Sequence, residues 1–217
     1  MSAGNRFCGI DTGDLCAVAV RERENEEGRP ARWIYFEAPP IECLIERCRA
    51  VFSGLGVEAF VIDGGPHTQA ARAVYDLNPD GGFIWRHTEG EMQTRDVSFL
   101  GVERRHVRMN REDLLDHLVE EFHEGAGRVL LPQPMDTGED ALLAEVERHL
   151  MNLRKKPRIR SSGETVLAYE RNENHFGFAC AYARLAESLA QSEGILVPLA
   201  GGTVMPQVFE QRILKRR

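Results

Sequence analysis

Two aspartates in this 217-residue chain each close a short apolar run: Asp11 follows Cys8-Gly9-Ile10, and Asp63 follows Ala59-Phe60-Val61-Ile62 and precedes Gly64-Gly65. An apolar run that ends in an acid and a glycine pair is how a buried strand delivers one polar side chain at its C-terminal end. On neighbouring strands the two carboxylates would face each other a few ångströms apart, and like charges so placed need a counter-ion. Mg²⁺ or Mn²⁺ suits that task, because these ions prefer hard oxygen ligands and keep waters free for chemistry. Two such ions about 3.5–4 Å apart can activate a water and stabilise the leaving oxygen of a phosphodiester. Either aspartate taken alone could instead cap the turn that follows it. A third acid is expected at the start of the last long helix, where Glu173 sits and where the helix dipole favours a carboxylate. His175 beside it is a candidate for positioning a phosphate or a water, or for simple capping.

These residues need elements to hold them. Phe7 to Asp11 and Leu15 to Arg23 read as two strands about a Thr12-Gly13-Asp14 turn. After a polar stretch from Arg21 to Pro30, Trp33 to Glu37 reads as a third antiparallel strand. Pro39-Pro40 opens a helix with Leu44, Ile45, Cys48, Val51 and Phe52 on one face. Glu58 to Asp63 is the buried strand already described, Thr68 to Tyr75 a helix, and Gly82 to Arg86 a further strand. Val97 to Leu100 and His106 to Met109 are expected to pair as a hairpin about Glu103-Arg104-Arg105. Asn110 can cap a helix carrying Leu114, Leu115, Leu118, Val119 and Phe122. Thr137 and Asp140 fit a capping box before Leu142, Leu143, Val146 and Leu150. A strand is expected over Arg128 to Leu131, a basic hairpin from Met151 to Glu170, and a long helix from Asn174 to Gln191. Three antiparallel strands followed by alternating helix and strand make a mixed α/β sheet flanked by helices. That order, with an acid on the first strand, is the pattern of a ribonuclease H-like fold, in which the first and fourth strands are neighbours. One domain is expected over residues 1–192, with a tail or linker over 193–217.

Composition narrows the class. Hydrophobic residues at 42% and charged residues at 28% give the balance of an ordinary globular protein. The longest apolar runs, Leu15 to Val20 and Ala59 to Ile62, are too short to cross a bilayer, and Met1 to Phe7 has no apolar signal core. Five cysteines without a C-x-x-C pair argue against a disulfide framework and a structural zinc site, so a cytoplasmic setting is expected. The net charge of -7 speaks against a generally basic nucleic-acid binder. Basic residues nevertheless cluster at Arg104-Arg105 with Arg108 and Arg111, at Arg154-Lys155-Lys156 with Arg158 and Arg160, and at Lys215-Arg216-Arg217.

The run Val61-Ile62-Asp63-Gly64-Gly65-Pro66-His67-Thr68-Gln69-Ala70-Ala71-Arg72 resembles the V-x-D-x-x-P-x-T-x-x-A-R stretch of tailed-phage terminase large-subunit nuclease domains. Val107 to Asp116 is similar to their V-x-x-x-R-T-E-x-L-D segment, and is followed by Val129-Leu130-Leu131-Pro132. Asn174-His175-Phe176 through Ala179, Tyr182 and Ala183 resembles their D-H-x-x-x-A-x-x-Y-A helix, and Gly9-Ile10-Asp11 their opening G-x-D. The similarity runs in order from about residue 7 to 190. It implies a metal-dependent endonuclease that cuts concatemeric viral DNA during genome packaging. Its partners would be double-stranded DNA, a packaging ATPase domain, the small terminase subunit and the portal. Asp11 and Asp63 take two matching metal-ligand positions, with two Mg²⁺ or Mn²⁺ ions expected. The family's third aspartate is Asn174 here, so either Glu173 substitutes, or Asn174 gives a weakened or Mn²⁺-preferring site, or the domain has lost its chemistry.

No G-x-x-x-x-G-K-[ST] loop is present, so the packaging ATPase step is outside this sequence. An excised domain or a stand-alone relative is expected. Clustering alone points to Arg104, Arg105, Lys155 and Lys156 as the DNA-contacting face, with binding that falls steeply with salt. Three alternatives stay open: a non-catalytic DNA- or portal-docking domain, a Holliday-junction resolvase, and an actin-like or sugar-kinase ATP-binding domain. The last rests on Gly9-Ile10-Asp11-Thr12-Gly13 and, faintly, on Leu199-Ala200-Gly201-Gly202.

Overall fold

Phe7, Cys8, Gly9, Ile10 and Asp11 are all buried, so their run lacks alternation because both sides of the strand are covered. The computed structural model describes residues 5–23, 31–124, 131–132, 137–159, 162–170 and 173–192. Most of the strand expected at 128–131, the segment 24–30, Arg160, Leu199 to Gly202, Lys215 to Arg217 and the tail from 193 lie outside the described residues.

Seven strands form one mixed sheet: β1 Asn5–Thr12, β2 Cys16–Arg23, β3 Arg32–Glu37, β4 Ala59–Asp63, β5 Gly82–His87, β6 Gln93–Phe99 and β7 Val102–Met109, in the order β3-β2-β1-β4-β5-β7-β6. The first three are antiparallel neighbours, β1, β4, β5 and β7 run parallel, and β6 closes the edge antiparallel to β7. Helices α1 Leu44–Leu55 and α2 Thr68–Tyr75 pack on one face over Ile10, Val18, Phe60 and Ile62. Helices α3 Arg111–Glu124, α4 Thr137–Met151 and α5 His175–Ser192 pack on the other over Phe7, Ala19, Val61 and Val107. A separate hairpin, β8 Lys155–Ile159 and β9 Thr165–Tyr169, stands between α4 and α5 in sequence. The ribonuclease H-like order expected from the sequence is therefore present, with β1 beside β4.

One expectation is corrected. The β6–β7 hairpin turns at Leu100-Gly101, both at positive φ (53° and 76°), and Glu103, Arg104 and Arg105 lie within β7. Glycine accepts that backbone region without strain, whereas a run of charge only shows that a segment is solvated.

Two features fix α5 against the sheet. A Cβ on Gly9 would stand 1.9 Å from the Ala179 carbonyl and 2.3 Å from the Ala183 nitrogen, so only glycine lets the helix backbone lie on β1. Farther along, Glu187 on α5 is fully buried and pairs with Arg21 (2.9 Å) and with Arg23, while Glu121 on α3 pairs with Arg21 (2.7 Å) and Arg184 (2.9 Å). Burial alone would raise the Glu187 carboxyl, but Arg21, Arg184 and Arg23 hold it below the usual carboxylate range.

Candidate functional site

Ile10 pairs with Ile62 in the parallel β1–β4 ladder, so Asp11 and Asp63 occupy equivalent places at adjacent strand ends. The Thr12 hydroxyl donates to the Asp63 carbonyl at 3.2 Å, tying the ends together, and the Gly65 N–H donates to Asp63 Oδ1 at 2.8 Å. Burial, and then the Asp11 charge, push the Asp63 carboxyl up to about 6. Asp11, 5% exposed, is raised by burial as well, against the opposing pull of His175, Arg111 and the Gly13 N–H. Two desolvated carboxylates held together against their own repulsion are costly to folding and useful to a cation.

The start of α5 closes on this pair. His175 Nδ1 donates to Asp11 Oδ2 at 2.7 Å, and that bond raises the imidazole pKa. Gly13 leaves the room, since a Cβ there would meet the His175 ring at 2.7–2.8 Å. Asn174 is 3% exposed and its carbonyl accepts from the Phe178 N–H at 3.0 Å, while its side-chain Nδ2 is buried without a hydrogen-bond partner. Behind them the buried His149 of α4 accepts the Phe176 N–H through Nδ1 at 3.2 Å and so holds the first turn of α5. Burial and the Arg148 charge push the His149 imidazole below its usual pKa, which favours this acceptor role.

These groups open into a cleft of about 1090 Å³. Trp85, Phe178 and Tyr182 give it an aromatic floor, with Arg111 4.5 Å over the Phe178 ring. The Arg111 charge lowers both aspartates, and its Nε is buried without a hydrogen-bond partner. Hairpin β8–β9 forms the opposite wall and is anchored to α3: Tyr169 donates from its hydroxyl to Asp116 (2.8 Å) and from its N–H to Glu112 (3.0 Å).

Two mutually repelling carboxylates beside an unpartnered amide make an oxygen-rich donor set that fits a divalent cation such as Mg²⁺ or Mn²⁺. Among the described residues no group of three His, Cys, Asp or Glu side chains could hold a metal ion. Asn174, lining the same cleft, carries an amide oxygen on the same side chain as its unpartnered Nδ2.

The sequence matches no protein-family model and no curated protein. By structure, the chain is similar to the large terminase nuclease from thermophilic phage G20c, at TM-score 0.51 and 14% identity over 84% of this chain and 82% of that one. The same nuclease with bound magnesium gives TM-score 0.51 and 17% identity over the same shares. The fold is that of a large terminase nuclease. A looser superposition, TM-score 0.42 at 16% identity, is with Thermus thermophilus RuvC over 89% of this chain and 99% of that one.

Within this terminase-nuclease fold the expected site residues separate. Asp11, Asp63, Asn174 and His175 line one cleft. Glu173 does not join them: it is 73% exposed and pairs with Arg148 at 3.2 Å. The expected DNA-contacting face also divides. Arg104 and Arg105 are adjacent on β7 and point to opposite faces of the sheet. Arg104 is bound to Asp76 (2.6 Å), while Arg105 reaches the Pro79 and Asp80 carbonyls and the Phe83 ring. Lys155 pairs with Asp116 (2.6 Å) and Lys156 with Glu170, so all four cations already have partners. From sequence Arg111 stands out only as a member of a basic cluster, and His149 not at all. Arg111 stands at the arginine of the V-x-x-x-R-T-E-x-L-D similarity, which was its available signal; His149 had none.

Proposed function

We propose that this chain is a divalent-metal-dependent endonuclease that hydrolyses phosphodiester bonds of double-stranded DNA. The observation that carries the reading is the pair Asp11–Asp63, the first buried and the second partly buried, at the ends of adjacent parallel strands, with Asn174 and His175 lining the same cleft. When bound, a divalent ion would supply an activated water and offset charge on the departing oxygen. Asp11, Asp63 and the Asn174 amide would hold that ion, and two carboxylates with one neutral amide favour a single tightly held ion over two. His175 orients Asp11. Arg111 and Arg158 face the cleft as phosphate partners, the first pre-stacked on Phe178. In the reaction the water oxygen would bond to phosphorus and give up a proton to solvent, the ester P–O bond would break in line, and the leaving oxygen would take up a proton.

In the setting that the fold and the motif similarity suggest, the substrate is concatemeric viral DNA in the host cytoplasm. The partners would be a packaging ATPase domain, the small terminase subunit and the portal. Asn174 in place of an acid favours a second reading, a docking domain of the same fold without chemistry. Plasmid nicking separates the two. The nuclease converts supercoiled plasmid to open circles with Mn²⁺ and stops with chelator. A folded protein inert with both Mn²⁺ and Mg²⁺ would support the docking domain.

A further inference from the structure

The face of the sheet opposite the cleft carries a charge arrangement that the site does not use. Arg86 on β5 and Arg108 on β7 are direct partners in the parallel ladder, and Arg95 on β6 is the direct partner of His106. Cross-strand partners share a face, and like charges placed opposite each other destabilise a sheet. Arg72 of α2 lies over the same region, its guanidinium 3.7 Å from the Phe99 ring. The four arginines act together on His106: burial first, then Arg86, Arg72, Arg95 and Arg108, push its imidazole down to about 4. Among the described residues none of the four pairs with a carboxylate, whereas Arg6, Arg21, Arg23, Arg32, Arg47 and Arg104 all do.

This surface adjoins the site. Arg86 donates to the Thr68 hydroxyl at 3.3 Å, in the segment that follows Asp63. Arg86 and Arg108 are each the penultimate residue of their strand, at the same end of the sheet as Asp11 and Asp63. We propose that Arg72, Arg86, Arg95 and Arg108 form a phosphate-backbone track for duplex DNA that crosses the ends of β4, β5 and β7 into the Asp11–Asp63 cleft. Guanidinium groups bind phosphate oxygens in paired hydrogen bonds, and the ligand supplies the negative charge the cluster lacks. The track rests on the nuclease reading for its substrate but is tested without cleavage.

The test is fluorescence anisotropy of a labelled linear duplex in chelator, titrated with salt. Arg95→Gln/Arg108→Gln is expected to bind about tenfold more weakly at ~100 mM salt, with a log–log salt slope reduced by about 2. Arg95→Gln alone, on the exposed edge strand, is expected to lose about threefold and serves if the double variant does not fold. Arg49→Gln, an exposed arginine on α1, is expected to match wild type. Unchanged affinity and slope in a folded Arg95→Gln/Arg108→Gln protein would overturn the track, and so would an equal loss in Arg49→Gln. Wild-type protein that binds heparin but no duplex would overturn it too. Plasmid nicking by wild type, measured separately, then shows whether the nuclease reading survives.

Discussion

The His175 imidazole reaches Asp11 at 2.7 Å through a gap that exists because residue 13 has no side chain. The helix start and the first strand thus meet at one hydrogen bond, and the orientation of Asp11 depends on it. His175→Ala is expected to slow Mn²⁺-supported plasmid nicking by about 10–100-fold and to raise the Mn²⁺ concentration for half-maximal rate. The melting temperature should change little. Gly13→Ala should reproduce the loss by displacing the ring, and His175→Asn should restore part of the metal response. A slower rate with an unchanged metal requirement would assign His175 a merely structural part.

Asn174 brings an amide to the place where a third charge would strengthen a cation site. Asn174→Asp is expected to raise Mg²⁺-supported nicking and to lower the metal concentration required. Glu173→Gln should leave both unchanged, because Glu173 faces Arg148 and not the cleft. Rates across a metal titration check both; a loss in Glu173→Gln alone would exchange the two assignments.

The buried Glu187 neutralises Arg21 and Arg23 from α5, and removing it leaves Arg21, 2% exposed, short of one counter-charge. Glu187→Ala is expected to lower stability by about 3–5 kcal/mol in urea melts. Because its folded pKa is depressed, the wild-type contribution is present above about 4.5, the ordinary glutamate value, and is lost as pH falls through the lower folded value.

His106 titrates in a different window. Its folded pKa of about 4 lies below the ordinary 6.5, so the native state resists a proton that the unfolded chain takes up. That stability is complete above 6.5 and is lost as pH falls toward 4. Asp63, raised to about 6, acts in the opposite sense, so the informative quantity is a difference between proteins. The melting temperature of His106→Gln relative to wild type should climb as pH drops through this window. A constant difference from pH 7 to 4 would contradict it.

Local patterns carried the element order well. The apolar runs ending at Asp11 and Asp63, the Asn110 cap and the leucine spacing of α3 each describe one segment, and each stands where expected. The hairpin turn was misplaced because β6 is an exposed edge strand without an apolar face; Gly101 was the better signal than the charge run beside it. The basic face divides for a related reason. Adjacent residues on a strand diverge, so Arg104-Arg105 cannot be one surface, and sequence does not show that Asp76 neutralises the first. The arginine track joins four elements, and His149 acts through a helix 26 positions before the one it caps, counted from His149 to His175. Neither can be read without the fold.

Asp63, beside Asp11, is expected to carry metal-dependent cleavage. The direct measurement is nicking of supercoiled plasmid by Asp63→Ala and wild type, each with Mn²⁺, with Mg²⁺ and with chelator. Metal-dependent cutting is expected of wild type, and its loss in a variant that still melts cooperatively. Undiminished cutting by Asp63→Ala, or wild-type cutting that persists in chelator, would contradict it.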